Sequence, residues 1–233
     1  MRISLTLVAI AACVMSFADV FQIPDGVQFQ QMTIHLGSGV SAAYGPVTAY
    51  DNTTTSTGFY YTGGSAQRWP ADDLHMTQSG LVNGFTFIYY DPAGGTALTR
   101  VPVQFWANDP ADGTFGPSLQ SLVVTGLPGD GGWIITVDLS GSGFEFSAPA
   151  DIWMGIDFFA SDSPGQAGWS IYNPPTVGSS HDVFLDVDTL GLYWFGGNPV
   201  ANFGAAIYMV PEPGTLAALG VGLVGLLGLR RRK

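Results

Sequence analysis

From residue 27 to residue 209 the chain is a succession of short apolar segments with a period of two. Each is closed by Gly, Pro, Asn or Asp. VNGFTFIYYD (82–91) sets Phe85, Phe87 and Tyr89 on one face, and VPVQFWAND (101–109) does the same with Val101, Val103 and Phe105. GWIITVDL (132–139) aligns Trp133, Ile135 and Val137, and DIWMGIDFF (151–159) aligns Ile152, Met154, Ile156 and Phe158. Shorter candidates follow at 27–36, 59–61, 119–125, 144–146, 169–172, 183–186, 193–195 and 202–209, with Glu145 facing outward in the FEF triplet. Alternation of this kind is the signature of strands with one buried face. No stretch of the body holds a 3.6-residue period over ten residues, which argues against strands alternating with helices in a parallel sheet. No fixed-length repeat suggests a propeller or a β-helix. The pattern predicts an all-β domain over 19–209, an antiparallel β-sandwich of jelly-roll-like form.

Such a domain must hold itself together by burial alone. The only cysteine is Cys13, so no intramolecular disulfide can form. Hydrophobic residues make up 46% of the chain and aromatics 13%, enough for a sizeable core, while 32 Gly and 15 Pro supply the turns. Between Asp19 and Met209 there are two arginines against seventeen acids, a formal charge of −15. That field repels phosphate backbones and argues against nucleic-acid binding. Sixteen of those acids are Asp, the residue of turns rather than helix interiors.

The two ends have a different character. Arg2 is followed by an apolar run over 3–14 and then by Ser16-Phe17-Ala18, the pattern of a secretory signal peptide (1–18) cleaved after Ala18. Ile10-Ala11-Ala12-Cys13 also resembles a bacterial lipobox, so lipidation of Cys13 is the alternative maturation. At the other end, 214–229 is an uncharged run of sixteen residues. As a helix it would be about 24 Å long, a marginal single span of the bilayer. Arg230, Arg231, Arg232 and Lys233 follow it and suit the cytoplasmic side as a basic stop. Pro211 and Pro213 break any helix before the run and keep that segment extended, with Glu212 as its one charge.

Val210-Pro211-Glu212-Pro213, the Gly/Leu-rich run and the terminal basic cluster together resemble the PEP-CTERM sorting signal of exported bacterial proteins. The resemblance covers the last 24 residues, 210–233, and nothing of the body. It implies export by the Sec machinery, transient anchoring in the inner membrane, and recognition of Pro211, Glu212 and Pro213 by exosortase, a membrane-embedded cysteine transpeptidase. It further implies a Gram-negative host and a final place at the cell surface or in an exopolysaccharide or biofilm matrix. On this reading the chain is a substrate and not an enzyme.

Chemistry in the body is sparse in sequence terms. There is no G-x-S-x-G elbow, P-loop, dinucleotide fingerprint or H-E-x-x-H pattern. His35, His75 and His181 are far apart and read as surface or strand-end residues. No cofactor is expected apart from calcium, for which Asp109 and Asp112 in one loop, and Asp186 and Asp188 as neighbours on one strand face, offer oxygen ligands. Trp169 and Trp194, beside Gly/Asn/Pro turns, are candidate platforms for sugar rings, with core filling as the alternative. The expectation is a non-enzymatic envelope or matrix protein. The alternatives are a carbohydrate-binding module acting on exopolysaccharide and a hydrolase on a sandwich scaffold, the latter requiring a cleft where His and Asp converge.

Overall fold

A computed structural model of the chain describes residues 13–14, 20–37, 47–63, 68–92, 100–109, 111, 113–159 and 167–210. Among these the fold is all-β. No helix there is long and apolar enough to cross a membrane, and the expected span at 214–229 lies outside the described residues.

Two sheets divide the strands. The seven-stranded sheet runs in the order β1 (Cys13–Val14), β15 (Leu192–Trp194), β14 (Phe184–Asp186), β6 (Pro70–His75), β12 (Asp151–Ile156), β8 (Arg100–Asn108) and β9 (Phe115–Thr125). The nine-stranded sheet runs β2 (Val20–Gln22), β5 (Ser56–Tyr61), β13 (Gly168–Tyr172), β7 (Gly80–Asp91), β10 (Gly131–Asp138) and β3 (Phe29–His35). In that sheet β11 (Phe146–Ala148) and β16 (Ala205–Val210) also pair with β7, and β4 (Val47–Asp51) pairs with β16.

The expected alternation is what joins the sheets. Phe85, Phe87 and Tyr89 stack along one face of β7, with successive centroids 6.3 and 6.0 Å apart. Phe85 meets Phe105 of the opposite sheet at 5.2 Å, and Tyr89 meets Phe158 at 5.7 Å. Val101, Val103, Ile135, Val137, Ile152, Met154 and Ile156 complete a common core. Removing this apolar area from water is the main favourable term available to a chain without disulfides. The second face of β7 is covered too, where Tyr90 packs with Ile23 and Tyr60 and against Val27 and Phe29.

Pairing departs from the antiparallel arrangement that the sequence pattern predicts. β3 lies parallel to β10, from Phe29 beside Gly132 to His35 beside Asp138, and β1 is parallel to β15. Parallel neighbours need a long crossover, and roughly a hundred residues of chain separate β3 from β10. The 144–146 segment is also displaced. β11 begins at Phe146, and Glu145 instead accepts backbone N–H bonds from Gly141 (2.5 Å) and Gly143 (3.2 Å), closing the preceding turn. β2, β4 and β6 were not marked by the pattern; β6, with Asp72 and Asp73 at its centre, is nonetheless an interior strand between β14 and β12.

The outer face of the seven-stranded sheet carries a second apolar group. Trp106 and Trp153 are buried with Ala71 and Leu185, and Trp69 and Phe115 pack against them. Phe115 stacks on Trp106 with centroids 4.3 Å apart. Gly155 lies beneath this group, and a Cβ there would come within 2.9 Å of the Trp106 ring and 3.0 Å of Trp69 Nε1. Only glycine lets the two indoles lie so close to the strand.

Candidate functional site

The same outer face brings together an acid and two histidines. Asp73 and His75 are two residues apart on β6 and so share a face. Their partner His181 comes from the loop between the Ser179 bridge and β14. That loop is pinned by a backbone pair, His75 N–H to Ser179 O at 2.8 Å and Ser179 N–H to His75 O at 3.0 Å. Gly178 makes the approach possible. Its φ is +77°, and a Cβ there would sit 2.5 Å from the His75 carbonyl oxygen.

Three ligand atoms converge. His75 Nε2 lies 2.9 Å from Asp73 Oδ2 and 3.0 Å from His181 Nδ1, and His181 Nδ1 lies 2.5 Å from Asp73 Oδ2. Among the described residues this is the trio of metal-ligating side chains that comes together. Two of the three, His75 and Asp73, are held from behind. His75 Nδ1 is 2.7 Å from Asp151 Oδ1 on the neighbouring strand β12. Asp73 Oδ1 accepts the His181 backbone N–H at 3.0 Å and lies 3.1 Å from the Ser180 hydroxyl. The three side chains border a depression of about 170 Å³, shared with Asn108, Trp153, Val183 and Leu192. Trp153 is fixed there by its Nε1–H donating to Asn108 Oδ1 at 3.0 Å.

Charge is arranged unevenly in the cluster. Asp72, fully buried beneath Asp73, has its Oδ2 bonded by the Phe203 N–H at 2.9 Å. Burial first, and then the charge of Asp73, push the Asp72 carboxyl well above the usual carboxylate range, against the opposing pull of that N–H and of Ser180. Burial pulls His75 down, but the bond to Asp151 and the charge of Asp73 outweigh it and leave His75 above its ordinary value. The arrangement suits either proton sharing or coordination of a cation by a 2-His-1-carboxylate set.

The sequence expectations fall differently. His35, at the end of β3, pairs with Asp138 at 2.9 Å on the other sheet, as a strand-end histidine. His75 and His181 do not stay apart as surface histidines, because β6 and the loop before β14 run side by side. Trp169 is not a sugar platform. It is fully buried, stacks on Phe203 at 4.6 Å, and donates from Nε1 to Gly204 O at 3.0 Å. Trp194 on β15 is half-buried. Asp109 closes its own turn by accepting from Ala111 N at 2.8 Å. Asp186 is buried, 2.7 Å from the Thr189 hydroxyl and 3.6 Å from Arg68 Nε. Asp188 lies beyond the end of β14, in the following turn, so it does not share a strand face with Asp186. Asp112, Ala18, Pro211, Glu212, Pro213 and the basic stop Arg230, Arg231, Arg232 and Lys233 lie outside the described residues.

Asp73 and His75 carried one legible signal, their i, i+2 spacing. Nothing local marked His181 or Asp151 as their partners.

Comparison with known proteins bears on the end of the chain. Residues 210–233 match the family model of the PEP-CTERM protein-sorting motif. No curated protein and no solved structure matches the chain. The match begins at Val210, the residue on which β16 ends, so the signal follows the folded body directly. This chain therefore ends in a PEP-CTERM protein-sorting motif, the signal of exported bacterial proteins that exosortase recognises.

Proposed function

We propose that the chain is an exported cell-envelope or extracellular-matrix protein with an interaction role and no catalysis of its own. The observation that carries this reading is the sorting motif at 210–233, directly behind the last core strand. On this reading the 1–18 segment is removed after Ala18 on export by the Sec route, and the edge strand β1 leaves with it, so the mature sheet begins at β15. The 214–229 run then holds the protein briefly in the inner membrane of a Gram-negative cell, and exosortase processes it at Pro211-Glu212-Pro213. The body, a jelly-roll-like sandwich, is delivered to the surface or to an exopolysaccharide-rich biofilm matrix. The acidic body favours this route, since it has little attraction for anionic headgroups and no reason to stay at the membrane once the tail is released.

The test replaces Pro211, Glu212 and Pro213 by Ala together and follows the protein by fractionation and mass spectrometry of both mature ends. The expected result is an unprocessed chain retained in the inner membrane. Normal processing and normal release of that variant would overturn the reading.

A further inference from the structure

We propose that Asp73, His75 and His181 bind one divalent transition-metal ion of the Zn²⁺ class through Oδ2, Nε2 and Nδ1, with a further coordination position open to the adjoining depression. This goes beyond the sorting reading and does not depend on it.

The convergence of three ligating atoms favours a cation. If His75 Nδ1–H donates to Asp151 (2.7 Å), neutral His75 presents a lone pair at Nε2. That lone pair faces the Asp73 carboxylate oxygen at 2.9 Å and His181 Nδ1 at 3.0 Å. In the deprotonated form that coordination requires, all three converging atoms present lone pairs to one point. A cation satisfies all three. The triangle they form has sides of 2.5, 2.9 and 3.0 Å. A point off its plane lies about 2.1 Å from every corner, which is the Zn–N and Zn–O bond length.

The surroundings have the form of a metal site. A carboxylate behind the non-ligating nitrogen of a ligand histidine fixes its tautomer and raises its basicity, and Asp151 stands there. The second oxygen of Asp73 is held by the His181 N–H, so that ligand too is oriented before any ion arrives. The donor set excludes calcium, which takes six to eight oxygens, and fits borderline cations that accept imidazole. Three protein ligands rather than four leave room for a water or a small oxygen donor, and the 170 Å³ depression between Asn108, Trp153 and Leu192 provides the space. The net acidity of the body attracts a dication to the site.

The full chain in detergent, in a Cys13→Ser background so that no thiol competes, is stripped with a chelator and titrated with Co²⁺ and then Zn²⁺. One equivalent of Co²⁺ is expected to give the visible d–d spectrum of a low-coordinate N/O site, displaced by one equivalent of Zn²⁺. Zn²⁺ is also expected to raise the unfolding temperature in a concentration-dependent way. His181 is 70% exposed, so His181→Ala leaves the core intact; it should weaken binding by more than about a hundredfold, beyond the effect of a supporting residue. His35→Ala, on the other sheet, should leave the Co²⁺ affinity unchanged. Absence of a saturable Co²⁺ spectrum, or equal affinity in the His181→Ala and unaltered chains, would overturn the proposal.

Discussion

His75 and His181, separated by 106 residues, meet with Nε2 and Nδ1 3.0 Å apart and their rings nearly perpendicular at 89°. Both nitrogens also face one oxygen of Asp73. No single strand could bring these atoms together. The meeting depends on the loop before β14 being held against β6 by the His75–Ser179 bridge.

Asp151 should act as a positioning residue for this cluster. Its side chain is 57% exposed, so Asp151→Asn should not disturb the core. The variant is expected to bind one Co²⁺ with affinity reduced roughly 10–100-fold, because the His75 tautomer is no longer fixed by a carboxylate. Asp151→Glu should recover part of the loss. Unchanged Co²⁺ affinity in Asp151→Asn would separate this residue from the site.

Gly178→Ala tests the pin that holds His181. The new Cβ would need a left-handed backbone, costing at least about 1 kcal/mol, and would press on the His75 carbonyl oxygen. Urea denaturation should show that loss of stability. Co²⁺ titration should show weaker binding, although no ligand atom has been changed.

Trp169→Ala separates core filling from sugar recognition. Trp169 is fully buried on Phe203 and also supplies the Gly204 hydrogen bond. The variant should lose about 3–5 kcal/mol of stability, the range for truncating a buried aromatic. A stable variant with selectively impaired glycan binding would contradict this placement.

Asp138 sets a pH dependence. Its partial burial works to raise its carboxyl, but the Ser140 backbone and side chain and then His35 outweigh this and hold it below the ordinary carboxylate value. A depressed carboxylate adds stability that is present above its unfolded pKa of about 3.9 and is lost as pH falls through the lower folded value. Asp138→Asn should therefore melt at a lower temperature than the unaltered protein at pH 5–7. The gap should close as the pH is taken below about 3.9 toward the folded value. A gap that widens in acid would reverse the assigned sign.

Much of the framework was legible because period-two alternation and the buried face of a sheet are the same physical fact. Phe85, Phe87 and Tyr89 announce β7, and Ile152, Met154 and Ile156 announce β12. β6 was hidden because Asp72 and Asp73 are poor strand formers in isolation. They are tolerated there because Ser180 and the Phe203 and His181 N–H groups satisfy their oxygens. Trp169 admits two readings in the sequence, sugar platform or core, for the opposite reason. Nearby Gly, Asn and Pro suggest an exposed turn, whereas β13 carries its indole into the interior.

Sequence by itself settled two things about this protein, the all-β character of its body and the sorting motif at its end. Both are local. Strand periodicity is written within a few residues, and a linear recognition signal is read from an extended segment. The tertiary structure decided which strands are neighbours, including the parallel β3–β10 pair, and which polar groups meet. Asp73, His75, Asp151 and His181 belong to one site because β6 lies between β12 and the loop before β14. That adjacency is fixed by packing between segments far apart in the chain, and no local pattern encodes it.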